Sequence, residues 1–194
     1  NTFSLVTKHI RFGKNLFGIL RTSDKGYGKS VISGFNYSLE KNYEFTVQMD
    51  SDFSHSVEDL ISMCSLAVEN DLVIGSRYVQ GGKILGWSFY RKYLSKYANL
   101  FAKFATKSPI NDLTTGFRIY SKNLVTSIDF NSVSSTGYSF LVEIITKIPN
   151  QNFKIIEHPI TFVDREKGDS KMNFKIIFES FINIFKIIFK IKTF

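Results

Sequence analysis

The sequence predicts an α/β domain, on three observations. A strand-prone run at 45–49 ends in Asp50-Ser51-Asp52 and meets a helix start at Ser56, with Asp59 three positions on. A second short apolar run at 71–77 follows that helix and ends in Gly75-Ser76-Arg77. The 194 residues, 43% hydrophobic and 22% charged, are enough for one domain with a sizeable core and exclude a disordered chain.

Taken in order, Phe3, Val6 and Ile10 recur at helical spacing over 2–10, and 17–20 reads as a short strand ending at Arg21. Lys25-Gly26-Tyr27-Gly28-Lys29-Ser30 is a glycine turn opening a helix to position 39. It lacks P-loop spacing, so its glycines are expected to let backbone approach a neighbour or a ligand. In the next strand Phe45, Val47 and Met49 alternate with Thr46 and Gln48. Residues two apart share a strand face, so Asp50 and Asp52 do. They stand where a buried strand gives way to a loop, the place where open α/β sheets bind ligands. Paired carboxylates repel unless a cation or protons intervene, which suits a divalent metal; the alternative is a strand simply ended by acidic residues. An EF-hand is excluded, because His55 and Ile61 occupy the loop positions that require Gly and Glu.

The helix at 57–69 is expected to bury Leu60, Ile61, Cys64 and Val68, which makes Cys64 a core residue. A loop carries Gly81, Gly82, Gly86 and Trp87, and a strong helix spans 90–106, with Leu94, Tyr97, Ala98, Phe101, Phe104 and Ala105 on its inner side. Arg91 and Lys92 sit in its first turn, where the helix dipole disfavours cations, and this points to an anion nearby. Polar turn residues fill 111–118, helices follow at 122–128 and 139–148, and 153–163 alternates as a strand whose Pro159 requires an edge position. A charged loop occupies 164–171. From 174 to 194, Lys175, Glu179, Asn183, Lys186 and Lys190 share one helical face and Ile and Phe fill most of the rest. That is the pattern of a helix lying in a membrane interface, or else of one packed on its own domain.

The net charge of +8 favours an anionic partner, whether phosphate-bearing substrate, phospholipid surface or nucleic acid. One cysteine excludes an internal disulfide framework. No signal peptide is visible, nor a run of about 18 apolar residues that would cross a bilayer.

With these stretches in view, the chain resembles the family-2 glycosyltransferases of the dolichol-phosphate mannosyltransferase (polyprenyl-phosphate hexose synthase) type. QMDSDFSH at 48–55 is similar to the family's metal-binding MDADLSH, and LVIGSRY at 72–78, with its later Gly-Gly and Gly-Trp, to LVIGSRYVPGG…GW. DLTTGFR at 112–118 resembles DLTSGFR. GYSF at 137–140 with Glu143 resembles GYSFQ-E, and PITFVDREKGDSK at 159–171 resembles PITFVDRxxGxSK. These motifs occur in the family's order over nearly the whole chain. Two features depart from it: Ser54 stands where some relatives place a metal-binding Gln, and the opening PTYNE and DDGSxDNT segments are not in this sequence, Asn1-Thr2 matching the end of the second.

The resemblance implies a GT-A (Rossmann-like) fold, a mostly parallel sheet flanked by helices, lacking its first strands and followed by an amphipathic C-terminal helix. It divides the chain into an N-terminally incomplete catalytic domain at 1–172 and a membrane-interface helix at 173–194. The implied reaction is inverting transfer of a hexose, most often mannose from GDP-mannose, to a polyprenyl or dolichyl phosphate at the cytoplasmic face of a membrane, with the protein peripheral. Asp50 and Asp52 would hold Mg²⁺ or Mn²⁺, with Asp52, Arg77 and Arg91 at the reacting groups. Arg77, Arg91, Arg118, Arg165 and Lys171 would bind the acceptor phosphate or the diphosphate.

Other readings stay open. A related glycosyltransferase could use UDP-glucose, and the chain could be an inactive fragment. A haloacid-dehalogenase-type phosphatase also places Asp-x-Asp after a strand, but no downstream acidic metal pair follows here. A basic nucleic-acid-binding domain would fit the charge, yet the basic residues lie in separate loops and no nucleic-acid motif occurs, so no nucleic-acid partner is expected.

Overall fold

The computed structural model describes residues 2–9, 11–23, 25–135, 137–149, 152–164 and 185. Its elements, in order, are α1 (Thr2–Thr7), α2 (Tyr27–Glu40), β1 (Phe45–Gln48), α3 (Val57–Ala67), β2 (Leu72–Ser76), β3 (Lys83–Leu85), α4 (Phe89–Thr106), β4 (Arg118–Ser121), α5 (Lys122–Ser127), a 3₁₀ turn (Phe130–Ser132), α6 (Phe140–Thr146), β5 (Ile155–Pro159) and β6 (Thr161–Val163). The main sheet has the order β1-β4-β2-β5, and β3 pairs with β6 in a separate parallel ribbon.

This is a mixed α/β architecture with a parallel-containing sheet. β2 and β5 run parallel, while β4 runs antiparallel to both β1 and β2. The reversed strand determines where the loops gather. Arg118 opens β4 opposite Gln48 at the end of β1 and Ile74 near the end of β2, so the 112–117 loop enters the sheet at the edge where the chain leaves β1 and β2. Ser76 pairs with Pro159 there too.

Strand periodicity divides the core. Leu72, Ile74 and Tyr120 face a cluster with Phe35, Ala102, Leu124 and the α6 residues Phe140, Leu141 and Ile144. Val73 and Ile119 point the other way, onto Met63 and Ala67 of α3 with Phe117 and Ile160. β2 is buried along its whole length, as a strand covered on both faces must be.

Several expected elements differ in detail. Residues 17–20 form no strand; the nearest pairing is an isolated bridge between Phe12 and Leu16, and no neighbouring strand takes up their backbone. β1 is an edge strand with Phe45, Val47 and Met49 exposed, whereas Thr46 and Gln48 turn inward and bond Ser38 and Tyr27. α3 begins at the expected Ser56 cap, whose Oγ accepts from Asp59 N at 3.0 Å. It buries Met63 and Ala67, while Ile61, Val68 and Cys64 are exposed; the helix is rotated from the face the apolar spacing suggested. In α4 Phe101 and Ala105 pack on the core as expected and Asn99 and Ala102 are buried between them, while Tyr97 and Phe104 face outward. The expected strand at 153–163 divides at Ile160 into β5 and β6, and β6 recruits Lys83–Leu85, which had read as loop. Pro159 closes the edge strand β5, as its missing N–H requires. Gly28 is the close approach its position implied, since a Cβ there would lie 2.7 Å from Ser135 O and 2.8 Å from the Phe140 ring.

Arg165, Lys171 and the predicted tail helix lie outside the described residues, apart from Phe185. Phe185 is helical, and its ring centroid stands 5.2 Å from that of Phe101 on α4.

Candidate active site

The Asp-x-Asp run leaves β1 at the edge where the other loops gather. Asp50 is exposed and Asp52 partly so. Asp52 Oδ1 accepts from Ser54 N at 3.2 Å, which curls the loop. Phe53, between them, adopts φ 62° and is 95% exposed, an uncommon backbone state for a bulky residue. Ser54 and His55 are buried beneath it, and Ser54 O accepts from Val163 N, tying the loop to β6.

Behind Asp50 lies a polar relay. Tyr120 Oη donates to Gln48 Oε1 at 3.2 Å, and Gln48 Nε2 donates to Tyr27 Oη at 2.7 Å. Tyr27 Oη would stand 2.6 Å from a Cβ at Gly116, and Asp50 Oδ1 3.6 Å from it, so a side chain at 116 would be driven into the site. Burial raises the pKa of Tyr27, and the charge of Asp50 raises it further, so the phenol keeps its proton.

The next loop holds Arg77. Its Nε and Nη2 donate to Asp112 at 2.7 and 2.8 Å, and Nη2 also to Thr114 Oγ1 at 2.9 Å. Burial alone would raise the carboxyl of Asp112, but the charge and hydrogen bonds of Arg77 outweigh it and hold it below the ordinary carboxylate range. Asn99 and Glu157 clasp the same loop. Asn99 Oδ1 accepts from Leu113 N at 2.8 Å, and the Glu157 carboxylate accepts from Asn111 N and Asp112 N at 2.8 and 2.9 Å.

Arg91 projects from the first turn of α4. Its Nη1 donates to both oxygens of Asp164 at 3.1 and 2.9 Å, and its guanidinium lies 4.1 Å from the Trp87 ring centroid. The anion that its position on the helix implied is thus at least partly supplied from within, by Asp164. Arg91 Nε is buried without a partner. Arg118, at the same sheet edge, is fully buried, with Nη1 and Nη2 donating to the carbonyls of Leu141 and Leu113.

No protein-family model matches the chain. Curated proteins do. It is 38% identical over 165 residues to the polyprenol monophosphomannose synthase of Mycolicibacterium smegmatis, covering 84% of this chain and 62% of that protein. It is 36% identical over 173 residues to the dolichol-phosphate mannosyltransferase of Pyrococcus furiosus, covering 87% and 47%. Against the undecaprenyl-phosphate mannosyltransferase of Micrococcus luteus the identity is 38% over 164 residues, covering 84% of the chain and 68% of the relative. The chain belongs to this polyprenyl-phosphate mannosyltransferase family. The family resemblance drawn from the motifs is borne out, and the α/β architecture is consistent with a GT-A type fold. The chain spans about two thirds of the bacterial relatives and about half of the archaeal one.

Within this candidate site, Asp50 and Asp52 are the side chains that could hold a metal. Among the described residues no three His, Cys, Asp or Glu side chains converge, so a protein-only cage is not built there. Two half-exposed carboxylates are the donor set Mg²⁺ uses when substrate phosphate completes its shell. Sequence reasoning passed over Asn99, Glu157, Asp164, Tyr27 and His55. Asn99 carried a signal, a polar residue near the middle of an otherwise aromatic-rich helix; Asp164 lies in the PITFVDR motif, but its partner Arg91 is 73 residues away and no spacing links the two.

Proposed function

We propose that the chain is the catalytic part of an enzyme that transfers mannose, with inversion, from a nucleotide diphosphate sugar, GDP-mannose above others, to a polyprenyl phosphate. The observation that carries this reading is the family membership together with the Asp-x-Asp loop and the Arg77 and Arg91 loops at one edge of the sheet. In this reading Asp50 and Asp52 hold Mg²⁺ or Mn²⁺, which when bound neutralises charge developing on the leaving diphosphate. The acceptor is already an anion at neutral pH, so the protein's task is to hold two anions together rather than to supply a strong base.

Arg91, half-buried, stacked on Trp87 and paired with Asp164, is proposed as a phosphate contact. Arg77, buried and locked by Asp112, is proposed as a second phosphate contact from its motif. Arg165 and Lys171 are proposed as further phosphate contacts from their motif. Arg118, capped by carbonyls in the core, braces the 112–118 loop instead.

The acceptor is a lipid, and we place the protein at a membrane surface, on its cytoplasmic face. No helix among the described residues is long and apolar enough to cross a membrane. The outer face of α4 supports a surface position. Phe89, Tyr93, Tyr97, Leu100 and Phe104 fall on one stripe and are each at least 60% exposed, with Lys96 and Lys107 also exposed and no acidic residue from 89 to 107. Exposed aromatics beside cations suit anionic headgroups. The tail at 173–194 is proposed to lie in the same interface.

The test is hexose transfer to polyprenyl phosphate in vesicles, with GDP-mannose and UDP-glucose as parallel donors, with and without EDTA. It is run on the chain as it stands and on the same chain joined to the PTYNE and DDGS segments of a relative. Metal-dependent transfer from GDP-mannose is expected. Full activity in EDTA removes the metal, preference for UDP-glucose changes the donor, and no transfer by either form overturns the reading.

A further inference from the structure

His55 is a buried polar side chain without a hydrogen bond. Its side chain is 2% exposed, and neither Nδ1 nor Nε2 has a hydrogen-bond partner. The ring is held between Phe117, with centroids 4.6 Å apart, and the edge-on Phe162 at 5.4 Å. The backbone on either side of it is fixed as well: Ser54 O accepts from Val163 N, and Ser56 caps α3. Nε2 points at Asp50 Oδ2, 3.5 Å away, and Asp50 is 45% exposed on its other side.

A buried donor or acceptor left unpaired costs about 1–3 kcal/mol, so a persistent one needs a reason. Carboxylates that ligate metals are themselves hydrogen-bonded from behind, which fixes the oxygen offered to the ion. We propose that His55 is the positioning residue of the Asp-x-Asp loop: its Nε2–H donates to Asp50 Oδ2 and aims the carboxylate at a divalent cation. The distance is at the outer limit of a hydrogen bond, and a movement of about 0.5 Å closes it to ordinary length. Such contacts are commonly long until the ligand is bound. The Phe117–Phe162 slot sets the ring plane, and so the role falls to a residue that can fill an aromatic slot and donate from its far edge. The inference rests on the metal reading of Asp50 and Asp52.

The experiment is Mn²⁺ titration by calorimetry on the full chain with GDP present, with His55→Phe, His55→Gln and Asp50→Ala beside it. His55→Phe fills the slot without a donor and is expected to weaken Mn²⁺ binding about 10-fold. His55→Gln, which restores an N–H, is expected to recover part of that loss even if it is the less stable of the two. Unchanged affinity in His55→Phe, with binding lost in Asp50→Ala, overturns the role of His55 and leaves the metal site standing. No Mn²⁺ binding by the parent chain overturns both. A readout free of substitutions is the imidazole ¹⁵N spectrum of the parent chain, which has three histidines. Added Mg²⁺ should move the Nε2 resonance of His55; if binding is seen by calorimetry and that resonance stays still, the inference fails.

Discussion

At Arg77 and Asp112 a full charge pair sits in the protein interior, side chains 7% and 0% exposed. Removing two charges from water costs several kcal/mol each, and mutual attraction repays it only with good geometry. Here the geometry is a fork, two nitrogens on two oxygens, with the Arg77 backbone N–H as a third donor at 3.0 Å. Asp112→Asn keeps the shape and strands the guanidinium, and is expected to destabilise the fold by about 3–5 kcal/mol in urea unfolding. Replacing both partners, Arg77→Met with Asp112→Leu, should recover much of that stability while abolishing transfer activity. A single variant within 1 kcal/mol of the parent, on the order of a surface change, would mean that the pair does not hold the loop. The residue scale also shows what motif spacing can reveal of a site. Spacing singled out Asp50 and Asp52, and the family resemblance added Arg77, Arg91, Arg118, Arg165 and Lys171. Neither could foresee that both Arg77 and Arg118 are buried, Arg77 against a carboxylate and Arg118 on backbone carbonyls, because both are arginines in polar loops and only the folded partners differ.

Among the elements, α4 joins fold and function. Its inner side is thin: Asn99 pins the 112–114 backbone and Ala102 lets the helix lie close. Its outer side carries the aromatic stripe. Tyr97→Glu with Phe104→Glu should leave unfolding within about 0.5 kcal/mol of the parent, because both side chains are largely solvated. The same pair should reduce flotation with phosphatidylglycerol vesicles several-fold; unchanged flotation would detach this face from the membrane. Helices α3 and α4 mark where the sequence was readable and where it was not. Start and end of α3 and α4 were visible in Ser56, in the length of the apolar pattern and in the absence of breakers. Which of their apolar residues are buried was not, since both helices carry apolar residues around more than half their circumference and the sheet chose among them. β3 was missed for a related reason: three residues have no pattern, and only pairing with β6 makes them a strand.

For the molecule as a whole, the charge balance acts through pH. Two buried carboxylates on different layers, Asp112 and Glu143, are both held below the ordinary range. For Glu143 burial pushes upward, but hydrogen bonds from Ser135 and Ser134 outweigh it, with Ser135 N donating at 2.7 Å. Each therefore stays ionised in the fold at a pH where the unfolded chain has begun to take up protons. Between the unfolded and folded pKa values the unfolded state binds more protons, so stability rises with pH across that window and falls as pH drops through it. The contribution is complete above the unfolded value of about 4 and disappears once the folded groups protonate. Unfolding midpoints in urea should accordingly be level from pH 7 to about 5 and fall steeply below about 4. Glu143→Gln keeps an acceptor for the Ser134 and Ser135 donors without a titrating charge, so its curve should start lower at neutral pH and fall less steeply in acid. A variant curve parallel to that of the parent throughout would show that Glu143 does not couple folding to protonation. The steep limb would then belong to Asp112, or to the repulsion among 25 lysines and arginines once the 17 carboxylates no longer balance them. The Asp112→Asn curve separates these two: it flattens the limb if Asp112 carries it, and leaves it steep if the net charge does.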